Sequence, residues 1–315
     1  FFFSSRRRHT RFRNVTGVQT CALPICRLQP DGEFSVREPS AHLPLSRAVD
    51  TATMPETASS SHAARLSGRE LLNKVPEVTL WFWVIKILCT TVGETFADYL
   101  NETLGFGLTH TTVVMSAALV VAMVWQFKTR RYIPFVYWLT VVLVSVVGTL
   151  VTDNLTDRFG VSLKLSTTVF AVALGAIFFW WVKSEGTMSI HSIRTTRREA
   201  FYWLAILCTF ALGTAAGDLV SEQFNLGYAT AVGIFAAAIA VVVFGRYVVK
   251  LSAVPMFWTA YILTRPLGGS IGDYMSSDKS DGGLGLGTTT TSVVFLGVIL
   301  LVIAYLSLSG VDTAD

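Results

Sequence analysis

Charge is the scarcest ingredient of this chain. Only 15% of its 315 residues are Asp, Glu, Lys or Arg, against 52% that are hydrophobic, whereas a soluble globular domain carries about a quarter charged residues. That excludes a soluble domain with an ordinary surface, and the high apolar content excludes disorder. Cysteine is nearly absent too: 4 residues are too few for a disulfide scaffold. Catalytic templates are missing, with no HExxH, GxSxG elbow, P-loop or CxxC pair, so no enzymatic activity and no resident cofactor are expected. The run GGLGLG from Gly282 to Gly287 has no strand-like segment before it and reads as loop. The formal net charge of +4 resides entirely in residues 1–53, where eight Arg meet four acids, while 17 basic residues face 17 acidic ones from Met54 onward. A nucleic-acid partner is therefore not expected.

Residues 1–26 resemble translated sequencing-adapter contamination, above all VTGVQTCALPI from Val15 to Ile25. On that reading residues 1–53 are an artefact or a spuriously translated upstream leader, Met54 is the start, and 54–75 form a polar cytoplasmic lead-in. Cys21 and Cys26 go with the leader. Cys89 and Cys208 lie inside apolar stretches, where a free thiol behaves as a small hydrophobe.

What is abundant is apolar sequence in lengths close to the roughly 20 residues that cross a bilayer as helix. Eight stretches recur, near 78–100, 109–127, 133–153, 165–182, 200–220, 229–249, 255–275 and 288–308. Twelve Lys and Arg fall on one side of the resulting topology and three (Arg158, Lys164, Lys279) on the other. The positive-inside rule then puts both termini in the cytoplasm. The expected fold is an all-α integral membrane protein of the bacterial inner membrane, with the lipid bilayer as its main partner and self-association allowed.

The odd-numbered stretches share one spacing. Each carries an aromatic–Trp pair (Phe82-Trp83, Tyr137-Trp138, Tyr202-Trp203, Phe257-Trp258), then Gly ten residues after the Trp (Gly93, Gly148, Gly213, Gly268) and Asp five further on (Asp98, Asp153, Asp218, Asp273). Four residues later three copies add another acid, Glu102, Asp157 and Glu222, where the fourth has Ser277. This pattern resembles a bacterial membrane-protein family known as a four-copy tandem repeat of unknown function, with two spans and a shared Trp per copy. The resemblance implies architecture and no reaction. Four repeats result, 76–132, 133–199, 200–254 and 255–308, followed by a tail at 309–315. A two-span repeat returns the chain to its starting side, so all four copies are parallel and related about the membrane normal.

With the Trp residues taken as anchors at the cytoplasmic interface, the repeat Asp lies roughly 22 Å above them at a helical rise of 1.5 Å per residue. That is the outer third of a core about 30 Å thick. Glu94 sits about 16 Å up, near mid-membrane, and its repeat equivalents are Thr149, Thr214 and Gly269. A carboxylate at that depth needs a partner. Arg265, about 10 Å above Trp258, is the candidate counter-charge. Lys86, about 5 Å above Trp83, is expected to snorkel to the cytoplasmic interface.

These residues define a hypothetical cation site of Asp98, Asp153, Asp218, Asp273 and Glu94, an outer acidic column of Glu102, Asp157 and Glu222, and neutral oxygens from Thr111, Thr167 and Thr230. Oxygen ligands suit hard divalent cations, and His110 is a weaker metal-ligand candidate. The leading reading is a permease or channel for a small cation, proton or divalent metal. The alternatives are a non-transporting scaffold or sensor with structural acids, whose basic loop 183–199 (His191 within it) docks a partner, and transport of a small organic cation or neutral solute.

Overall fold

The computed structural model describes residues 74–312; the readings of 1–53, of most of the 54–75 lead-in and of the last three residues of the tail fall outside the described residues. The chain forms eight long helices: α1 (Leu80–Asp98), α2 (Gly107–Lys128), α3 (Pro134–Asp153), α4 (Leu163–Glu185), α5 (Thr196–Asp218), α6 (Tyr228–Tyr247), α7 (Ala253–Ser276) and α8 (Gly287–Ser309), with no strand among the described residues. Local chemistry sets their starts. Thr79, Ser162 and Thr195 accept backbone N–H groups of the first turns of α1, α4 and α5, and Pro134 opens α3.

Seven of these helices are long and apolar enough to cross a membrane; α7 is not among them. Its polar content is the reason. Arg265, Ser270, Asp273 and a run of small residues dilute the apolar ones, and the helix sits inside the bundle.

The odd and even helices do different work. In the apolar windows of α1, α3 and α5, 61 to 72% of residues are buried, against 17 to 33% in α2, α4, α6 and α8. The four odd helices close a ring, α1 on α3, α3 on α5, α5 on α7 and α7 back on α1. Each even helix packs on the odd helix of the following repeat: α2 on α3, α4 on α5, α6 on α7, and α8 on α1. The outer faces carry exposed Val, Leu and Phe, such as Val121, Val172, Val241 and Leu301.

The glycine ten residues after each Trp fixes the ring's register. A Cβ on Gly93 would collide with Ser145, on Gly148 with Phe210, on Gly213 with Arg265 and on Gly268 with Thr90. Each of those partners lies seven residues after the Trp of the next repeat, so one contact repeats four times around the ring. Close helix approach at small residues is the general device.

The four Trp residues do not face an interface. They are 1 to 7% exposed, because they sit on inner helices, where Trp138 and Trp203 pack edge-on with Tyr137 and Tyr202, and Trp83 and Trp258 pack at a tilt on Phe257 and Tyr261. Trp138 donates to Tyr132 Oη and Trp258 to the Met188 carbonyl. At this end of the bundle Glu77 N–H donates to Asp312 O at 3.0 Å, bringing the first and last described segments together. Lys74 is buried and paired with Glu199 at 2.7 Å. Cys89 and Cys208 are buried free thiols.

Candidate functional site

At the opposite end each of the first three inner helices continues past its repeat Asp into a five-residue π-turn: Tyr99–Thr103, Asn154–Arg158 and Leu219–Gln223. The chain then reverses through Gly105, Gly160 and Gly227, and through Gly285 in the fourth repeat, all with φ between 66° and 75°. A side chain there would be strained in this left-handed region. The wider π-turn widens the helix mouth just where the second acid of each of these three repeats falls.

Nine carboxylates and no basic side chain line the resulting vestibule, a cavity of about 510 Å³. Asp98, Asp153, Asp218 and Asp273 contribute one from each repeat, half-buried, while Glu102, Asp157 and Glu222 form an exposed rim. Asp278 joins them, with Asn101, Thr156, Ser276, Ser277, Tyr228 and Thr288. Asn101 and Thr156 each stand three residues after a repeat Asp, a regularity that could have signalled them. Thr288 could have been signalled by its place in the Thr-rich start of the eighth apolar stretch.

Glu94 forms the floor. It is 7% exposed, and its Oε2 lies 2.8 Å from a nitrogen of fully buried Arg265. The same Arg265 Nη2 donates to Thr214 Oγ1 at 2.7 Å and to Thr149 Oγ1, and Nη1 donates to the Thr90 carbonyl at 3.1 Å. Thr149 also donates to Glu94 at 3.2 Å. Glu94, Thr149 and Thr214 are the same position in three repeats, eleven residues after the Trp. One arginine from the fourth repeat thus gathers the other three. The fourth equivalent, Gly269, leaves the room: a Cβ there would stand 3.2 Å from Arg265 Nη1 and 3.4 Å from Glu94 Oε2.

Below the pair the axis is filled. Lys86 does not snorkel outward; it is 1% exposed, with Nζ 2.7 Å from Thr264 Oγ1 and 3.8 Å from the Tyr261 ring centre. Its helix is an inner one, and the aromatic layer closes its route to the basic end. The Phe210 ring lies 5.1 Å from Lys86 Nζ and 5.6 Å from the Arg265 guanidinium carbon.

Other expected site residues fall elsewhere. Thr111, Thr167 and Thr230 are not in the vestibule lining; they lie near the starts of outer helices, outside the inner ring, and the Thr111 and Thr167 hydroxyls are buried without a hydrogen-bond partner. His110 is exposed in the first turn of α2, its Nδ1 3.2 Å from the Phe106 carbonyl oxygen. His191 pairs with Glu77 at 3.3 Å. Arg198 folds the 186–195 loop back by donating to the Ser192, Glu185 and Thr187 carbonyls. Among the described residues no three Asp, Glu, His or Cys side chains are drawn together as a metal-holding set. The Asp98, Asp153, Asp218, Asp273 and Glu94 carboxylates share one wall without forming a compact chelate, because separate helices spread them around a wide mouth.

The fourfold register has a counterpart in comparison with known families. The family described as Repeat of Unknown Function (DUF347) matches at residues 81–132, 136–187, 201–252 and 256–311. The chain belongs to the DUF347 family. Neither the curated proteins nor the solved structures provide a match. Each DUF347 copy takes in one inner helix and the outer helix after it, so the common elements are the ring and its acidic mouth. What distinguishes the copies is the layer beneath, where only the first supplies Glu94 and only the fourth supplies Arg265.

Proposed function

We propose that this protein spans the bacterial inner membrane, opens its acidic vestibule to the periplasm and admits small cations, either protons or hydrated divalent metals. The observation that carries the reading is the convergence of carboxylates from all four repeats on one cavity floored by the Glu94–Arg265 pair. A concave mouth of one charge sign concentrates counter-ions. The spread of the carboxylates favours ions that keep their water, or protons, over a stripped metal.

Glu94 then acts as the relay. A cation or proton reaching it competes with Arg265 for the same oxygen, and Thr149, Thr214 and the Thr90 carbonyl keep the guanidinium hydrogen-bonded when the pair parts. Pro266, next in sequence, removes one backbone donor from α7 and loosens the helix at that level. The filled axis below makes the described conformation closed toward the cytoplasm, so passage requires α7 to move.

Reconstituted protein tests this. Cation-loaded proteoliposomes should take up ion faster than empty vesicles, and Glu94→Gln should slow uptake; equal flux with and without protein overturns transport. A second reading, a non-transporting cation sensor or scaffold, draws on Arg265 and Lys86 standing below the vestibule, since fixed cations on an axis repel a passing one. On the sensor reading cations raise thermal stability and Asp218→Asn abolishes that rise with no flux in either protein; on the scaffold reading Asp218→Asn lowers stability with or without cation.

A further inference from the structure

A second cavity, of about 290 Å³, lies at the opposite end of the bundle in the seam between α6, the start of α7 and the segment leading into α1. Apolar Val78, Met188, Ile190, Val254 and Phe257 line it, together with Arg246 of α6, His191 and Glu77. The repeat explains why this seam is open. Counting 43 residues from each repeat Trp gives Gln126, Trp181, Arg246 and Leu301. Gln126 and Trp181 are buried and close their seams, Gln126 donating to Glu199 at 3.3 Å and Trp181 stacking on Phe201 with ring planes 9° apart. Neither Arg246 nor the exposed Leu301 makes such a closure, and of these two positions Arg246 is the polar one, in the lining of the cavity. Glu77, the one acid of the lining, is engaged by His191 at 3.3 Å. Arg246 has no ion pair among those formed by the described residues, rests 5.8 Å from the Tyr247 ring, and keeps its Nε buried without an acceptor.

We infer that this seam binds the headgroup phosphate of an anionic phospholipid through Arg246. A guanidinium whose Nε lacks an acceptor fits phosphate oxygens, and basic pockets between helices are general lipid-headgroup sites. A lipid is favoured over a free anion because the lining residues Arg246 and Tyr247 are flanked in sequence by exposed Phe244, Val248, Val249 and Leu251, an apolar surface along which acyl chains would run. The inference rests on the membrane-spanning part of the proposed function and is independent of cation passage.

Native mass spectrometry of the full chain in detergent, titrated with phosphatidylglycerol, phosphatidylcholine or inorganic phosphate, tests it. Phosphatidylglycerol should bind the wild type, and Arg246→Gln should bind it about tenfold more weakly, the loss expected for one charge-assisted contact. Arg246→Lys should retain most of the affinity, and Arg130→Gln, a basic residue of the same end outside the cavity, should match the wild type. Equal binding of the two lipids, protection by inorganic phosphate alone, or an unchanged Arg246→Gln overturns the inference. Recovery of the wild type from cells without detergent would instead overturn the membrane reading on which it rests.

Discussion

Glu94 and Arg265 are each tolerable inside the bundle only because of the other. Removing one leaves a buried charge without its partner, a loss of about 3–5 kcal/mol. Arg265→Met should therefore destabilise strongly in a chemical-denaturation assay. Lys86→Met is the informative contrast. Lys86 has no carboxylate among the ion pairs of the described residues, only Thr264 and aromatic rings, so an apolar chain of similar volume should be neutral or stabilising by about 1 kcal/mol. A large loss in Lys86→Met would show that its ammonium is needed where it stands. Asp312 offers a test at the other end. Burial raises its pKa above the ordinary 3.8, partly opposed by the hydrogen bond from Tyr132. The folded state thus holds this proton more tightly than the unfolded one, so this contribution to stability is full below pH 3.8 and lost as pH rises through the folded value. Asp312→Asn should remove that slope from the pH dependence of unfolding.

At the scale of the helix, glycine position separates inner from outer elements. Gly148→Ala puts a methyl within 2.6 Å of Phe210 Cβ, and overpacking of that kind costs about 1–3 kcal/mol. Gly175, Gly233 and Gly297 lie on outer helices with nothing within 4 Å of an added Cβ. Alanine there should be neutral or raise stability by about 0.5–1 kcal/mol through lost unfolded-state freedom. Melting curves of Gly148→Ala and Gly233→Ala that shift alike would contradict the ring's register. The inner-helix spacing of Trp, Gly and Asp was legible in the sequence because each column repeats in full. Direction around the helix was not. Trp and Lys have the same composition-level signature at an interface and in a core, so the aromatic layer and the inward Lys86 were read as boundary features. The threonines were misplaced for a related reason: Thr111 opens an outer helix, and hydropathy does not distinguish outer from inner helices when both are apolar.

For the whole molecule, the cyclic order of the repeats could not be read from linear spacing, since the partner of each outer helix is the next repeat and not its own. The acidic convergence was legible, because parallel repeats carry one Asp each to one end; the seam opened at Arg246 was not, since it depends on which side chains fail to meet. Closure of the ring is directly testable. Ser292 on α8 donates to Thr95 on α1 at 2.9 Å, both buried, so the Thr95→Cys, Ser292→Cys pair should oxidise to a disulfide. After proteolytic cleavage within the 186–195 loop, the two halves should then remain covalently joined on a denaturing gel, and separation without reductant would refute the closure.

Because every outer helix is lent to its neighbour, a lone copy of the repeat would leave one inner helix bare and one outer helix without a seat. Such a unit could complete itself only by trading helices with three others around a common axis. Fusing the four into one polypeptide removes the need for identity among them, which frees a single copy to carry an acid and another to carry the base that answers it.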